Sequence, residues 1–351
     1  MTLLQTTCAR IAPPDPAVHA EVQRRLDQKT KPRGSLGRLE DLACSFCAIR
    51  GTTIPELPAK AIVVMAGDHG VASEGVSAFP QEVTAQMVLN FARGGAAINA
   101  LAGHAGARLV VVDMGVKAPL SHPDVRSVRV GPGTRNFTRG PAMTLEETLR
   151  ALEVGIGVAG ELADAGVGLI GLGDMGIANT TAASAITAAC TGASPEEVTG
   201  HGTGVDEVTH RRKVGVVRRA LEANRPDPTD GLDVLVKLGG FEIAGLAGVA
   251  LGGAARRVPV VMDGFIASAA ALVAARIAPA AAGSFIASHR SVEAGHRLVL
   301  EAIGARPLFD LEMRLGEGTG AALAMGLVEA SLRVLREMAT FESAGVSDSG
   351  A

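Results

Sequence analysis

The chain has 351 residues, close to half of them apolar, and a net charge of -3, enough material for one large or two modest globular domains with a real core. It contains neither Trp nor Tyr, so it lacks the stacking platforms and basic groove of a single-stranded nucleic-acid binder, and its charge balance equally argues against a membrane surface. Its four cysteines include one CxxC, Cys44 and Cys47, with no second ligand pair to complete a zinc site.

Residues 1–58 read as charged helices broken by prolines at "PPDP", "KPRG" and "IPELP". The first residues lack a basic stretch followed by an apolar one, and no uninterrupted apolar run is long enough to span a bilayer, so a cytoplasmic location is expected. A repeated pattern then begins. Short β-branched runs end in glycine and a polar residue, and a helical pattern follows. The runs are "AIVVMAGDHG", "RLVVVDMGV", "VGLIGLGDMG", "DVLVKLGGFE", "VPVVMDGF" and "GSFIASHRS". They are continuous rather than alternating, as expected of strands covered on both faces. Helices are expected over Gln81–Arg93, Leu145–Ala165, Thr180–Cys190, Val205–Asn224, Glu242–Arg256, Ile266–Ala278 and Val292–Ile303.

Alternating β and α units predict an α/β fold with a Rossmann-like six-stranded parallel sheet flanked by helices. Ligands of such sheets sit beyond the carboxyl ends of the strands. That rim is expected to carry Asp68, His69, Asp113, Asp174, Lys237, Asp263 and His289. The body is expected to span 59–318. Segments 1–58 and 319–345 would form a small helical domain built from both termini, and 346–351 a disordered tail.

Several segments carry candidate chemistry. In "GLGDMGIANTTAASAI", Gly171, Gly173 and Gly176 fit GxGxxG before a helix opening at Asn179 and Thr180. This reads either as a phosphate site at a helix N-terminus or as a tight turn with close helix packing. "GHGTGVDEVTHRRKVGVV" places Gly202 and Thr203 in a second glycine-rich loop, with Lys213 further along the helix as a phosphate-neutralising cation. Ser288–His289 is a weak nucleophile–base pair, since adjacent residues at a strand end point apart and no orienting acid is evident. Asp68 and His69 lack the further ligands of a metal centre, and no metal or cofactor is expected. Gln86 and Met87, on a helix opened by Pro80, suit a planar ligand of low charge. Glu317 stands alone between two glycines in "RLGEGTG".

The segments "KPRGSLGRLEDLA", "AGDHGVASEGVSAFPQEVTAQMV", "GDMGIANTTAASAI", "LGGFEIAGLAG", "VPVVMDGFIASAAALVA", "SHRSVEAGH" and "RLGEGTGAALA" run in order through nearly the whole chain. Together they resemble the nicotinate-nucleotide:5,6-dimethylbenzimidazole phosphoribosyltransferase family of cobalamin biosynthesis. The resemblance implies transfer of ribosyl phosphate from nicotinate mononucleotide to a benzimidazole, with inversion, by a homodimer. It implies Glu317 as general base. Gly176, Gly202, Lys213 and Ser291 match phosphate-binding positions, and Ser77, Gln86, Met175 and Leu315 match the lining around the benzimidazole. Asn179, Thr180, Thr203 and Asp263 are carried as further substrate-binding candidates. Asp174, a second catalytic candidate, stands where the family usually has glutamate, and its shorter side chain puts an auxiliary base role in doubt. Ala178 stands where glycine is common, and His201 also departs from the pattern. Which base is the natural acceptor stays open: dimethylbenzimidazole, another benzimidazole, adenine or a phenol. A magnesium-dependent phosphoribosyltransferase using the pyrophosphorylated sugar would show two adjacent acids after a strand, and "VVVDMGV" and "VVMDGF" offer one each.

Overall fold

The computed structural model describes residues 1–202 and 204–347. Six strands, β1 (Ala59–Gly67), β2 (Ala107–Gly115), β3 (Val125–Ser127), β4 (Val167–Met175), β5 (Val260–Met262) and β6 (Phe285–Ala287), form one parallel sheet in the order β3-β2-β1-β4-β5-β6. Side chains alternate faces along a strand. In β1, Ala61, Val63 and Met65 therefore enter one core, while Ile62, Val64 and Ala66 enter another on the opposite face. Both faces are covered, which is why the run has no polar alternation.

The first core is closed mainly by the Leu145–Asp164, Phe241–Ala255 and Phe265–Ile277 helices. The second is closed by Arg38–Arg50, Ala97–Ala105 and Thr319–Glu337, and Pro16–Asp27 adds Val22 and Leu26. Helices from the two ends of the chain thus pack on each other and share a core with one face of the sheet. Lys29 and Thr340 form an antiparallel bridge there, and the Lys29 Nζ donates to the Met338 carbonyl at 2.6 Å. No helix among the described residues is long and apolar enough to cross a membrane. The expected tail lies outside the described residues from 348 onward, as does Thr203.

One expected strand is a helix. "DVLVKL" lies within Gly231–Leu238, where the Asp230 carboxylate caps the first turn by accepting from the Leu232 and Asp233 N–H groups at 2.9 and 3.1 Å. Val234, Leu235 and Leu238 are buried, the spacing of a helical stripe, and in so short a run that spacing is hard to tell from a buried strand. Lys237 is therefore not on the rim. It bonds Asp233 Oδ2 at 2.8 Å and the Arg225 carbonyl at 3.2 Å. The sixth strand is instead β3, three residues at the sheet edge, too short to leave a pattern.

The strand order reverses between β1 and β4, so the crevice beyond their carboxyl ends is the expected ligand position.

Candidate active site

The glycines in and just after β4 set the site's geometry. A Cβ on Gly171 would lie 2.9 Å from Met325 Cε, one on Gly173 2.6 Å from the Glu317 carbonyl oxygen, and one on Gly176 2.3 Å from the Gly67 carbonyl oxygen. The GxGxxG spacing therefore records three close approaches, to the Thr319–Glu337 helix, to the Glu317 turn and to the end of β1. The next helix, Asn179–Thr191, opens from Ala178 at φ 75, a left-handed conformation that a glycine would hold without strain.

Residues 316–318 lie directly on Gly173. All three are left-handed: Gly316 at φ 85, Glu317 at φ 63 and Gly318 at φ 89. Two glycines make this turn accessible, and Glu317 carries the strain of the third position. Its side chain is 6 % exposed, and Oε2 is buried without a hydrogen-bond partner. Burial raises its pKa, against a smaller opposing effect of the Ile98 backbone N–H at the start of the Ala97–Ala105 helix.

Asp174 closes the same region. Its Oδ2 accepts from Asn179 Nδ2 at 2.8 Å, and Oδ1 is buried and unpartnered. Burial first, and then the charge of Asp263, hold its pKa well above the usual carboxylate value. Asp263 does not line the cavity. Its oxygens accept from the backbone N–H groups of Gly318, Gly320 and Ala321 at 2.9, 2.6 and 3.3 Å.

A cavity of about 310 Å³ opens between the ends of β4, β5 and β6. One part of its wall is polar, formed by Asn179, Thr180, Gly202, His289, Ser291, Glu293 and Arg314. Lys213 stands behind it, 1 % exposed, donating to Thr180 Oγ1 at 2.9 Å and to the Gly200 carbonyl at 3.2 Å. Burial pulls its pKa down to about 8, opposed by the Glu293 charge. The Ser291 N–H donates to His296 Nδ1 at 2.9 Å, so that nitrogen is unprotonated, and Nε2, 2.9 Å from Ser268 Oγ, carries the ring's proton. Ser288 and His289 do not point apart as expected, since Ser288 Oγ lies 3.0 Å from His289 Nδ1, but Ser288 is fully buried with its hydroxyl also on the Asp263 carbonyl at 3.0 Å, so it presents no nucleophile to the cavity.

The remaining wall is apolar: Phe79, Val83, Met87, Met175, Ile177, Ile266 and Leu315. Glu317 and Asp174 also line the cavity. Ser77 and Gln86 do not. Ser77 Oγ accepts from the Phe79 N–H at 3.2 Å, and Gln86 is exposed one position from Met87. The i, i+4 pair Val83 and Met87 is the signal that finds this wall, because both lie on the expected helix and neither is fully buried. Phe79, Glu293 and Arg314 left no comparable mark in the sequence.

A parallel sheet in the 3-2-1-4-5-6 order, with a mainly apolar pocket carrying a few polar groups at its carboxyl rim, is the arrangement in which α/β proteins bind nucleotide-type ligands. The comparisons narrow this class. A family model described as phosphoribosyltransferase, DBI_PRT, matches residues 11–346. The nicotinate-nucleotide–dimethylbenzimidazole phosphoribosyltransferase of Chloroflexus aggregans is 57% identical over 349 residues, covering 99% of each chain. That of Geotalea uraniireducens is 53% identical, again covering 99% of each. The crystal structure of the Thermus thermophilus enzyme of that name superposes with a TM-score of 0.90 at 49% identity, covering 95% of this chain and 99% of its own. The chain belongs to the phosphoribosyltransferase family.

Proposed function

We propose that the protein transfers the ribosyl 5′-phosphate of nicotinate mononucleotide to 5,6-dimethylbenzimidazole, giving α-ribazole 5′-phosphate and nicotinate with inversion at C1′, and that Glu317 is the general base. The observation that carries this reading is the buried, unpartnered Oε2 of Glu317, a residue that lines a mainly apolar cavity with a few polar groups. The names of the relatives supply the two substrates.

The chemistry needs one base. The pyridine nitrogen of nicotinate mononucleotide is cationic while bonded to ribose. When the C1′–N bond breaks, the electron pair returns to that nitrogen and nicotinate leaves without a proton. A glycosidase, by contrast, needs an acid for its alkoxide leaving group. The unprotonated nitrogen of the benzimidazole attacks C1′ from the opposite face. Its other nitrogen then bears an acidic N–H, whose proton passes to Glu317. A buried carboxylate with a raised pKa is the stronger base for this step. Asp174, held by Asn179 and pushed toward its neutral form, leaves Glu317 as the anion facing the base.

The walls support a placement of the two substrates. Phe79, Val83, Met87, Met175 and Leu315 suit the flat apolar acceptor. Lys213, Thr180, Gly202 and Ser291 suit the phosphate. The proposal includes a homodimer in the cytoplasm, with sedimentation expected to give twice the chain mass.

The test is an assay of purified protein in chelator, without magnesium, with nicotinate mononucleotide and a panel of benzimidazoles, adenine and phenols. Nicotinate and the new nucleoside phosphate are followed by chromatography. Formation of α-ribazole phosphate is expected, with dimethylbenzimidazole ranking first. Nicotinate mononucleotide recovered intact with every base would overturn the proposal.

A further inference from the structure

Glu317 sits at φ 63 in a run of three left-handed residues, a conformation that persists only where its surroundings impose it. Sterics supply part of the constraint, because Gly318 lies against Ile62 and Gly173. A second hold comes from the side, from a residue just past the end of another strand. The Thr319–Glu337 helix begins at Gly318, which has no side chain with which to cap it. Asp263, one residue past the end of β5, takes over that task. Its Oδ2 accepts from Gly318 N–H, and its Oδ1 from Gly320 and Ala321. The fit is close: a Cβ on Gly320 would lie 2.8 Å from Asp263 Oδ1 and 2.1 Å from His289 Nδ1. Asp263 is 1 % exposed and absent from the cavity wall, and its own carbonyl is held by Ser288 Oγ at 3.0 Å.

We infer that Asp263 is a positioning residue for the transfer reaction: by gripping the backbone on the helical side of Glu317, it aims the Glu317 carboxylate into the cavity while touching no substrate itself. The inference rests on the reading of Glu317 as base. It separates Asp263 from the substrate-binding set in which the sequence had placed it. It also gives β5 a function, since a three-residue strand carries the anchor of the catalytic turn.

The experiment compares Asp263→Asn, Glu317→Ala and the double variant in the transfer assay. Asn keeps the shape but must present its amide N–H groups to one of the backbone donors, so the grip is broken on one side. The expected result is a kcat lower by roughly tenfold to a hundredfold, with the KM for nicotinate mononucleotide within about twofold of wild type. On the Glu317→Ala background the same change should alter residual turnover by less than about threefold, because there is no carboxylate left to aim. Ser288→Ala, which only loosens the Asp263 backbone, is the milder second variant and should lower kcat in the same pattern if Asp263→Asn does not fold. A raised KM with unchanged kcat, or losses that simply multiply in the double variant, overturns the inference. If Glu317→Ala keeps wild-type turnover, the base assignment itself fails. If Glu317→Ala loses turnover and Asp263→Asn does not, only the positioning role fails.

Discussion

At the residue scale the proposed base and the proposed phosphate-binding cation would each leave its own kinetic signature. Removing a general base costs catalysis rather than binding. Glu317→Ala is therefore expected to lower kcat by at least ~10²-fold while nicotinate mononucleotide still binds by calorimetry. Near-normal turnover would end the assignment. Lys213 stands behind the wall, bonded to Thr180 beside the proposed phosphate site. A charge-assisted hydrogen bond is worth roughly 1.5–3 kcal/mol, so Lys213→Met, which keeps the buried volume, should raise the KM for the nucleotide by about tenfold to a hundredfold. The lysine's pKa of about 8 adds a pH signature. The ammonium is charged below that value and lost above it, so the wild-type KM should climb between pH 7 and pH 9, and in Lys213→Met it should stay flat. An unchanged KM, or a parallel climb in the variant, removes Lys213 from the phosphate site. Glu317 stood out in the sequence as a lone charge between two glycines, whereas Lys213 follows Arg211 and Arg212 within a helix and differs from them in being buried. Ser77 and Gln86 were expected at the acceptor wall, yet the wall is built by their neighbours Phe79 and Met87. A difference of one or two positions in a loop and on a helix surface is settled by packing that a linear pattern does not record.

Elements meet here through missing side chains. The Leu145–Asp164 and Phe241–Ala255 helices cross so closely that a Cβ on Gly155 would lie 1.9 Å from the Gly245 carbonyl oxygen, and one on Gly248 2.1 Å from that of Leu152. Gly157, two residues along the same helix, has nothing within 4 Å of its absent Cβ. The two positions should therefore respond oppositely to alanine. Gly157→Ala should stabilise the fold by about 1 kcal/mol, the helix-propensity gain. Gly155→Ala should destabilise it by roughly 1–3 kcal/mol or more, as overpacking does. Chemical denaturation of both reads the contrast, and equal shifts would refute the crossing. The abundance of glycine was plain in the sequence, but which glycines face a neighbour was not, since that depends on the partner helix. The same limit explains "DVLVKL". A short apolar run between turns fits a strand or a buried helix equally well, and the tie is broken by the Asp230 cap. The five other runs were correctly read as strands because β-branched residues buried on both faces leave no helical period.

Across the whole molecule, two sets of acids are shifted in opposite directions. Surface carboxylates such as Glu21, Glu161 and Glu329 have lowered pKa values, set first by a side-chain hydrogen bond from Arg24, Arg126 and Lys60 respectively. At the carboxyl rim of the sheet, Asp68, Asp113, Asp174, Asp263 and Glu317 are all raised, each chiefly by burial. The surface set stabilises the fold above the ordinary carboxylate range, and that stability is lost in acid. The rim set has the opposite sign. Its folded forms hold protons that the unfolded chain has already released, so stability falls as pH rises from the ordinary carboxylate range through the raised values, which reach about 7 for Asp263. A site that must keep a carboxylate poised as a base thus works against the fold at the pH where it acts. Asp174 is the place to measure this. Asp174→Asn keeps an acceptor for Asn179 Nδ2 and replaces the unpartnered Oδ1 with an amide facing the charges of Asp263 and Glu317. At pH 8 the variant should melt higher than wild type by roughly 2 °C or more, the shift that about 1 kcal/mol gives in a domain of a few hundred residues. At pH 5 the wild-type carboxyl keeps more of its proton, and the gap should shrink. A gain of equal size at both pH values, or a loss at pH 8, would mean that Asp174 is not held neutral by its surroundings, and the division of charge between it and Glu317 would have to be redrawn.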